Sequence, residues 1–440
     1  MQQVETKQQI CHNGSTHGKE IQYNGSLWPK VPPTITDELM DTLEDGALHR
    51  FDGETLNCTV FAQDHFSRFT RVVLPHGTNL TPMFMPVGTN ATVKGLTPEQ
   101  LEQTGSQMIL ANTYHCSLNP GADSIADHGG LHTFEKYNKC MLTDSGGFQL
   151  VSLSSLAIVT EKGVKFKSTH SDAVLTLTPE DAVDLQEKLG ADIMMQLDDV
   201  VHVLEESRDR VKEAAERSIR WLDRQIAAKQ RKDTILYAIV HGALDDEIRR
   251  WSAREIAKRP LEGWAIGGLS GGEEKSDFCR MVRISCEELP PDRPRYVMGV
   301  GYPEDILACV LMGADHFDCV FPARTARFGR AITSRGFVDV LQDDTDCELV
   351  DPNCDCECCS NYTKNGLIAL NATGQRSAFC RLLTIHNFQF LHNFTNAIRW
   401  SVLTGTLEVF VNKFVEHYFT EVPEWFSYAC GLADIKLTGE

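Results

Sequence analysis

Ile193-Met194-Met195-Gln196-Leu197-Asp198-Asp199, an amphipathic stretch from Glu205 to Lys232, and then Ile235-Leu236-Tyr237-Ala238-Ile239-Val240-His241-Gly242 decide the fold. The two short runs are apolar without alternation and stop on polar residues or glycine, as parallel strands buried on both faces do. Between them Val211, Ala214, Ala215, Ile219, Leu222 and Ile226 recur at helical spacing among charges. The unit is strand, helix, strand.

The same pattern recurs outward from it. Met83-Phe84-Met85-Pro86-Val87, Met108-Ile109-Leu110, Trp264-Ala265-Ile266, Tyr296-Val297-Met298 and His316-Phe317 each end on a polar residue or glycine. Thr97-Pro98-Glu99-Gln100 and Thr178-Pro179-Glu180-Asp181 place Thr at the N-cap and Pro at the first helical position, and Gln100 completes a capping box. Repeated about eight times, this alternation predicts an α/β fold, a (β/α)₈ TIM barrel, with a doubly wound sheet as the rival arrangement. The polar stretch 1–35 reads as an N-terminal extension, 36–338 as the barrel and 339–390 as an inserted zinc-binding module. Residues 391–440 read as a helical region that completes the barrel.

Composition narrows the function. A chain of 440 residues with 42% apolar residues can bury a large core. It has no apolar run of the 18 or more residues that a membrane-spanning helix needs, and its first residues lack a secretory h-region. A cytoplasmic protein is expected, with nuclear or mitochondrial-surface association left open. The net charge of −19 opposes general nucleic-acid binding but leaves room for a local basic patch. One such patch exists: Cys319 to Val338 holds Arg324, Arg327, Arg330 and Arg335 and no acid. An all-arginine patch suits bidentate phosphate contacts better than simple solvation.

Active residues of a barrel gather on loops at the C-terminal ends of its strands. Thr143-Asp144-Ser145-Gly146-Gly147-Phe148-Gln149, Gln196-Leu197-Asp198-Asp199, Val240-His241-Gly242, Gly267-Gly268-Leu269-Ser270-Gly271-Gly272, Met298-Gly299-Val300-Gly301-Tyr302 and Phe317-Asp318-Cys319 occupy such places. Their glycines let a flat ring approach the backbone, and the carboxylates facing it can serve as nucleophile, acid/base and base reader. Alone, Asp144 or Asp318 is an ordinary turn or cap residue, and Met298 is core filler; their number and order favour chemistry.

Cysteine is concentrated too. Cys354-x-Cys356-x₂-Cys359, followed by His386, fits a closed tetrahedral Cys₃His site for one structural Zn²⁺, with Cys347 and Cys358 as rival ligands.

These segments, in this order, resemble the tRNA-guanine transglycosylases over roughly residues 60 to 430, most closely the eukaryotic catalytic subunits. The resemblance implies exchange of the wobble guanine in tRNAs with GUN anticodons (those for Asp, Asn, His and Tyr) for free queuine. It implies Asp318 as nucleophile at the ribose C1′ and Asp144 as general acid/base. Asp144, Ser145, Gly146, Gly147, Phe148, Asp198, His241, Gly268 and Met298 would bind the base, His241 standing where the family usually has glutamine and Phe148 where bacterial members carry tyrosine. Val200 and Gly271, both small and apolar, would favour bulky queuine over its smaller precursor. Gly299, Val300, Gly301, Tyr302, Pro303, Glu304, Asp305, Ala323, Arg324, Thr325, Ala326 and Arg327 would contact RNA. A heterodimer with a non-catalytic homologous subunit is implied as well. Two other readings compete: that non-catalytic RNA-docking subunit itself, which lacks the carboxylates, and a barrel hydrolase of small glycosides, which leaves the arginines and cysteines unexplained.

Overall fold

The computed structural model describes residues 30–147, 157–167, 174–342 and 348–438. The N-terminal extension expected over 1–35 therefore lies, up to residue 29, outside the described residues, as do Phe148 and Cys347.

One sheet of short strands forms the centre, in the order Met83–Met85, His316–Asp318, Arg295–Val297, Trp264–Ile266, Ile235–Val240, Ile193–Met195, Cys140–Thr143, Met108–Ala111 and Val87–Gly88. Every pairing in it is parallel. The two ends of that order are one stretch of chain, interrupted at Pro86, which cannot donate a ladder hydrogen bond. Met83–Met85 pairs with the last strand and Val87–Gly88 with the second, so the sheet curls round on itself as a (β/α)₈ barrel. All the strand runs expected from the sequence are present. Cys140–Thr143 is the strand the apolar pattern did not single out.

The helix starts are built as their sequences dictate. Thr97 and Thr178 accept hydrogen bonds from the backbone of Gln100 and Asp181, and both residues reach back to close capping boxes. Arg208–Ala228 fills the amphipathic stretch behind an N-cap Ser207. The helical region expected over 391–440 starts earlier, at Arg376, and comprises Arg376–Leu403, Leu407–Tyr418 and Glu424–Leu432, with Gly405 in the left-handed region between the first two.

A four-stranded antiparallel sheet, His49–Asp52, Asn57–Asp64, Ser67–Leu74 and Gly77–Thr81, precedes the barrel and was not anticipated. Its Leu56, Cys58, Val72 and Leu74 join Met83, Met85, Leu110, Leu142, Met195, Tyr237 and Tyr296 in one buried cluster, so the sheet plugs the barrel. That plug marks the end where the strands begin. Arg68 of the sheet is buried against Asp315, which stands immediately before the His316–Asp318 strand and also accepts the Arg295 amide at 2.7 Å. The opposite end, where the strands finish, carries the residues expected at the site.

At the plugged end Asp192 sits under His76 and His132, whose rings stack at 3.5 Å and 12°. Its carboxylate takes the amides of His76 and Met141 at 3.1 and 2.9 Å and lies 2.8 Å from His76 Nδ1 and 3.3 Å from His132 Nε2, so the ligand atoms of all three side chains fall within 4.8 Å of one another. This group ties the sheet to the barrel.

Candidate active site

Six strand ends bring the expected residues to one rim. Asp144 follows Cys140–Thr143, Asp198 follows Ile193–Met195, His241 follows Ile235–Val240, Gly268 follows Trp264–Ile266, Met298 follows Arg295–Val297, and Asp318 ends the last strand. In-register parallel pairing makes this inevitable, since Val240, Ile266, Val297 and Phe317 are neighbours across the ladder.

Asp144 is buried and held in place by the preceding strand's exit. Asn112 donates through its side-chain amide to Oδ2, and the backbone amides of Thr113 and Gly146 donate to Oδ1 at 2.9 and 3.2 Å. Ser145 is buried beside it. Glycine at 147 is a matter of space: a Cβ there would lie 2.8 Å from Leu197 and 3.8 Å from the Asp198 carbonyl oxygen.

Asp318 is only partly covered. Its Oδ1 accepts from the Tyr296 hydroxyl and, at 2.8 Å, from the Gly299 amide. Gly299 has φ +78°, a conformation side chains rarely adopt, and this turn aims its N–H at the carboxylate. Loss of water pushes the Asp318 carboxyl above the ordinary aspartate value, against the pull of those two donors. Tyr296, buried inside the barrel, is pushed well above an ordinary phenol, first by burial and then by the charges of Asp318 and Asp144. One phenol therefore feels both carboxylates.

His241 is buried, with Nε2 3.0 Å from Asp198 Oδ2 and its amide donating to Ser252 Oγ at 3.1 Å. Asp199 holds this loop down: fully buried, it takes a bidentate bond from Arg210 at 2.6 and 2.9 Å and a further one from Arg217. A Cβ on Gly267 would meet Ile239 at 2.5 Å and lies 3.5 Å from the Met298 sulfur, so the floor between His241 and Met298 is flat. The Gly268–Gly272 loop is closed by Glu273, whose carboxylate takes the amides of Ser270 and Gly271 at 2.6 and 2.8 Å.

Beside the rim, Phe321–Ala326 forms a helix and Arg330–Thr333 pairs with Gly336–Asp339. Arg324, Arg327, Arg330 and Arg335 are exposed. Of the other residues expected on RNA, Gly299 and Tyr302 are exposed and Ala323 is partly covered, whereas Val300, Gly301, Pro303, Asp305, Thr325 and Ala326 are buried. Glu304 accepts from Tyr418 at 2.8 Å and Asp305 pairs with Lys275, so both brace the fold. The carboxyls of Glu304 and Asp305 are both raised, by burial first.

Cys354, Cys356, Cys359 and His386 come together with all their ligand atoms within 4.8 Å of one another, a group able to hold a metal ion. His386 Nδ1 lies 3.6 and 3.3 Å from the sulfurs of Cys356 and Cys359, and its Nε2 sits 2.8 Å from the Ile332 carbonyl. That second contact fixes the tautomer with Nδ1 free for an ion. The next residue, Asn387, takes the Ile332 amide at 2.8 Å and donates to Pro322 and Arg330. The cluster thereby clamps the arginine segment. Cys358, the rival ligand, is buried outside the group.

Sequence reasoning missed Tyr296, Asn112 and Asp199. Asp199 was in view as half of an Asp-Asp pair; Asn112 lies just past the Met108-Ile109-Leu110 run, and Tyr296 sits in a segment read as strand.

The family model described as "Queuine tRNA-ribosyltransferase" matches residues 64–420. A Caenorhabditis elegans protein named queuine tRNA-ribosyltransferase catalytic subunit is 44% identical over 397 residues, covering 86% of this chain and 98% of its own. Its Schizosaccharomyces pombe counterpart is 44% identical over 383 residues, with 84% and 95% covered. The Thermus thermophilus queuine tRNA-ribosyltransferase is 42% identical over 366 residues, with 82% and 94% covered.

Proposed function

The chain belongs to the queuine tRNA-ribosyltransferase family and is a tRNA-guanine transglycosylase, a pentosyltransferase, and from that premise we propose how its residues divide the reaction. The observation that carries the proposal is two carboxylates fixed on one rim, Asp318 by the Tyr296 hydroxyl and the Gly299 amide and Asp144 by Asn112 and the amides of Thr113 and Gly146.

Asp318 is the nucleophile. Tyr296 and Gly299 both bind Oδ1, which leaves Oδ2 to attack C1′ of the guanosine ribose. The C1′–N9 bond breaks, its electron pair leaves with guanine, and a proton is delivered to the departing base by Asp144. The incoming base gives its N9 proton back to Asp144 and attacks C1′, releasing Asp318. Two displacements retain the anomeric configuration, as in retaining glycosidases. The target base leaves the anticodon stack to enter the slot of Ser145, Gly146, Gly147, Asp198, His241, Gly268 and Met298. Phe148 belongs to this proposal by resemblance only.

The substrate is tRNA with a GUN anticodon and the incoming base is queuine. Gly271 supports that choice, because it is exposed and its Cβ direction stops 3.0 Å from Val203. Zinc is the ion for the Cys₃His group, since three thiols and one imidazole make a closed soft site; bound there it would hold the module together and take no part in exchange. A non-catalytic homologous subunit is the proposed partner, in the cytoplasm; among the described residues no helix is long and apolar enough to cross a membrane. The test is incubation with GUN-anticodon tRNA and labelled guanine. Incorporated label supports the assignment; a chain that binds tRNA and incorporates none would be the docking subunit instead.

Five variants probe the parts. Replacing Arg324 or Arg327 with Ala is expected to weaken tRNA binding and flatten its salt dependence by about one unit of slope per lost phosphate contact, measured as log Kd against log salt. An unchanged slope in both variants would leave the patch merely solvated. His241→Leu is expected to raise the KM for the base by an amount matching one buried hydrogen bond, about 1–3 kcal/mol, while His241→Gln stays active. Equal KM values for all three would mean His241 never touches the base. Tyr296→Phe removes a donor that favours the Asp318 carboxylate, so the already raised Asp318 rises further. Activity grows as pH climbs through that group, and the acidic limb of the kcat/KM profile is expected to move to higher pH; a limb that stays in place or moves down contradicts the assignment.

A further inference from the structure

With 71% of its surface exposed, Phe328 is the most exposed large apolar side chain among the described residues. It stands next to Arg327 and near Arg324 and Arg330, all exposed, in the segment that holds no acid. Other aromatic rings close by are consumed by packing. Tyr302 stacks on Phe321 at 4.0 Å, and Phe321 meets Phe337 edge-on at 5.7 Å. Phe328 contributes to none of these pairs and to no part of the core.

Its backbone is nevertheless fixed. The Phe328 amide donates to the Thr325 carbonyl at 3.0 Å, and Arg376 donates to the Arg327 carbonyl at 3.0 Å. On the other side the Gly329 carbonyl takes the Val340 amide at 2.9 Å, and a Cβ at Gly329 would collide with Leu341 at 2.7 Å. An apolar ring is thus presented to solvent from an anchored turn, in the middle of a cationic patch. A lone exposed apolar side chain is ordinary on a protein surface, but this ring is held on a fixed backbone among exposed arginines.

We infer that Phe328 is a stacking platform for an anticodon-loop base that flanks the exchanged nucleotide. The inference rests on the transglycosylase assignment, which supplies single-stranded RNA at this rim. Unpaired bases stack on fixed aromatic rings while neighbouring arginines take the phosphates. Phe328 stands two residues beyond the Phe321–Ala326 helix, which itself begins three residues after Asp318.

The test uses the full chain and tRNA carrying 2-aminopurine in turn at each position flanking the wobble nucleotide. Wild type is expected to quench one of these probes on binding; F328A loses the quenching, and F328W and F328Y keep it. The Kd for tRNA is expected to rise about fivefold or more in F328A, with an unchanged slope of log Kd against log salt, because an uncharged contact is lost. R327A flattens the slope instead, and that contrast separates stacking from charge. Three results would overturn the inference: a Kd in F328A within about twofold of wild type, a flattened slope in F328A, or full affinity in F328L, which would make the ring a plain apolar contact such as a protein partner covers. Melting temperatures of the variants distinguish local loss from unfolding. Labelled guanine incorporation by wild type separately tests the underlying assignment.

Discussion

Asp318→Asn is expected to lower base exchange by roughly 10³-fold or more, with the fold and tRNA affinity retained. The size follows from the chemistry. An amide keeps the shape and still accepts from Tyr296 and Gly299, but it is a poor nucleophile, and nothing else on the rim occupies its position. The variant is also a clean one, because the amide keeps the size of the side chain and both of its hydrogen-bond donors. Steady-state exchange of labelled guanine measures the loss. A tenfold or smaller effect would show that Asp318 only stabilises charge at C1′. Exchange by Asp144→Asn should fall by about 10²–10⁴-fold, as expected for loss of a general acid/base.

The second large effect concerns stability. His386→Ala is expected to release the metal ion and to lower the melting temperature far more than any surface substitution. A closed site converts binding free energy into folding free energy, and one missing ligand opens it. The loss also reaches the RNA side, because His386 and Asn387 hold the Ile332 backbone from both of its polar atoms. Weakened tRNA binding should accompany the lower melting temperature. Cys358→Ala, by contrast, removes a buried thiol outside the group and should keep one ion per chain. Metal content of the two purified variants decides between them. An ion kept by His386→Ala and lost by Cys358→Ala would require a different ligand set.

Much of this arrangement was legible in the sequence, and for a physical reason. Parallel barrel strands are buried on both faces, so each appears as a short apolar run, and whatever polar residue ends it stands on the same rim as the others. Asp144, Asp198, His241 and Asp318 could be read that way. Tyr296 could not, because an inward-facing tyrosine at the start of an apolar run looks like any core aromatic. Its function depends on reaching Asp318 across neighbouring strands, which no local pattern encodes. Asn112 is hidden similarly, at the exit of one strand and serving the carboxylate of the next. The antiparallel sheet escaped notice although Asp52-Gly53 and Gly77 stand at two of its turns; the third gives no such signal, since His65, at φ 54°, is the left-handed residue where glycine or asparagine would have announced a hairpin. The metal group was the easiest feature, since three of its ligands are neighbours in sequence and only His386 is distant.

The covalent intermediate tests the whole account most directly. Wild-type protein incubated with labelled GUN-anticodon tRNA and quenched in denaturant should yield a protein–RNA adduct, and digestion should place the linkage on the peptide containing Asp318. The adduct should be absent from Asp318→Asn and disappear from wild type when excess free base is added before quenching. An adduct that survives in Asp318→Asn, or one that maps to Asp144, would contradict the assignment of the nucleophile and with it the division of roles at the rim.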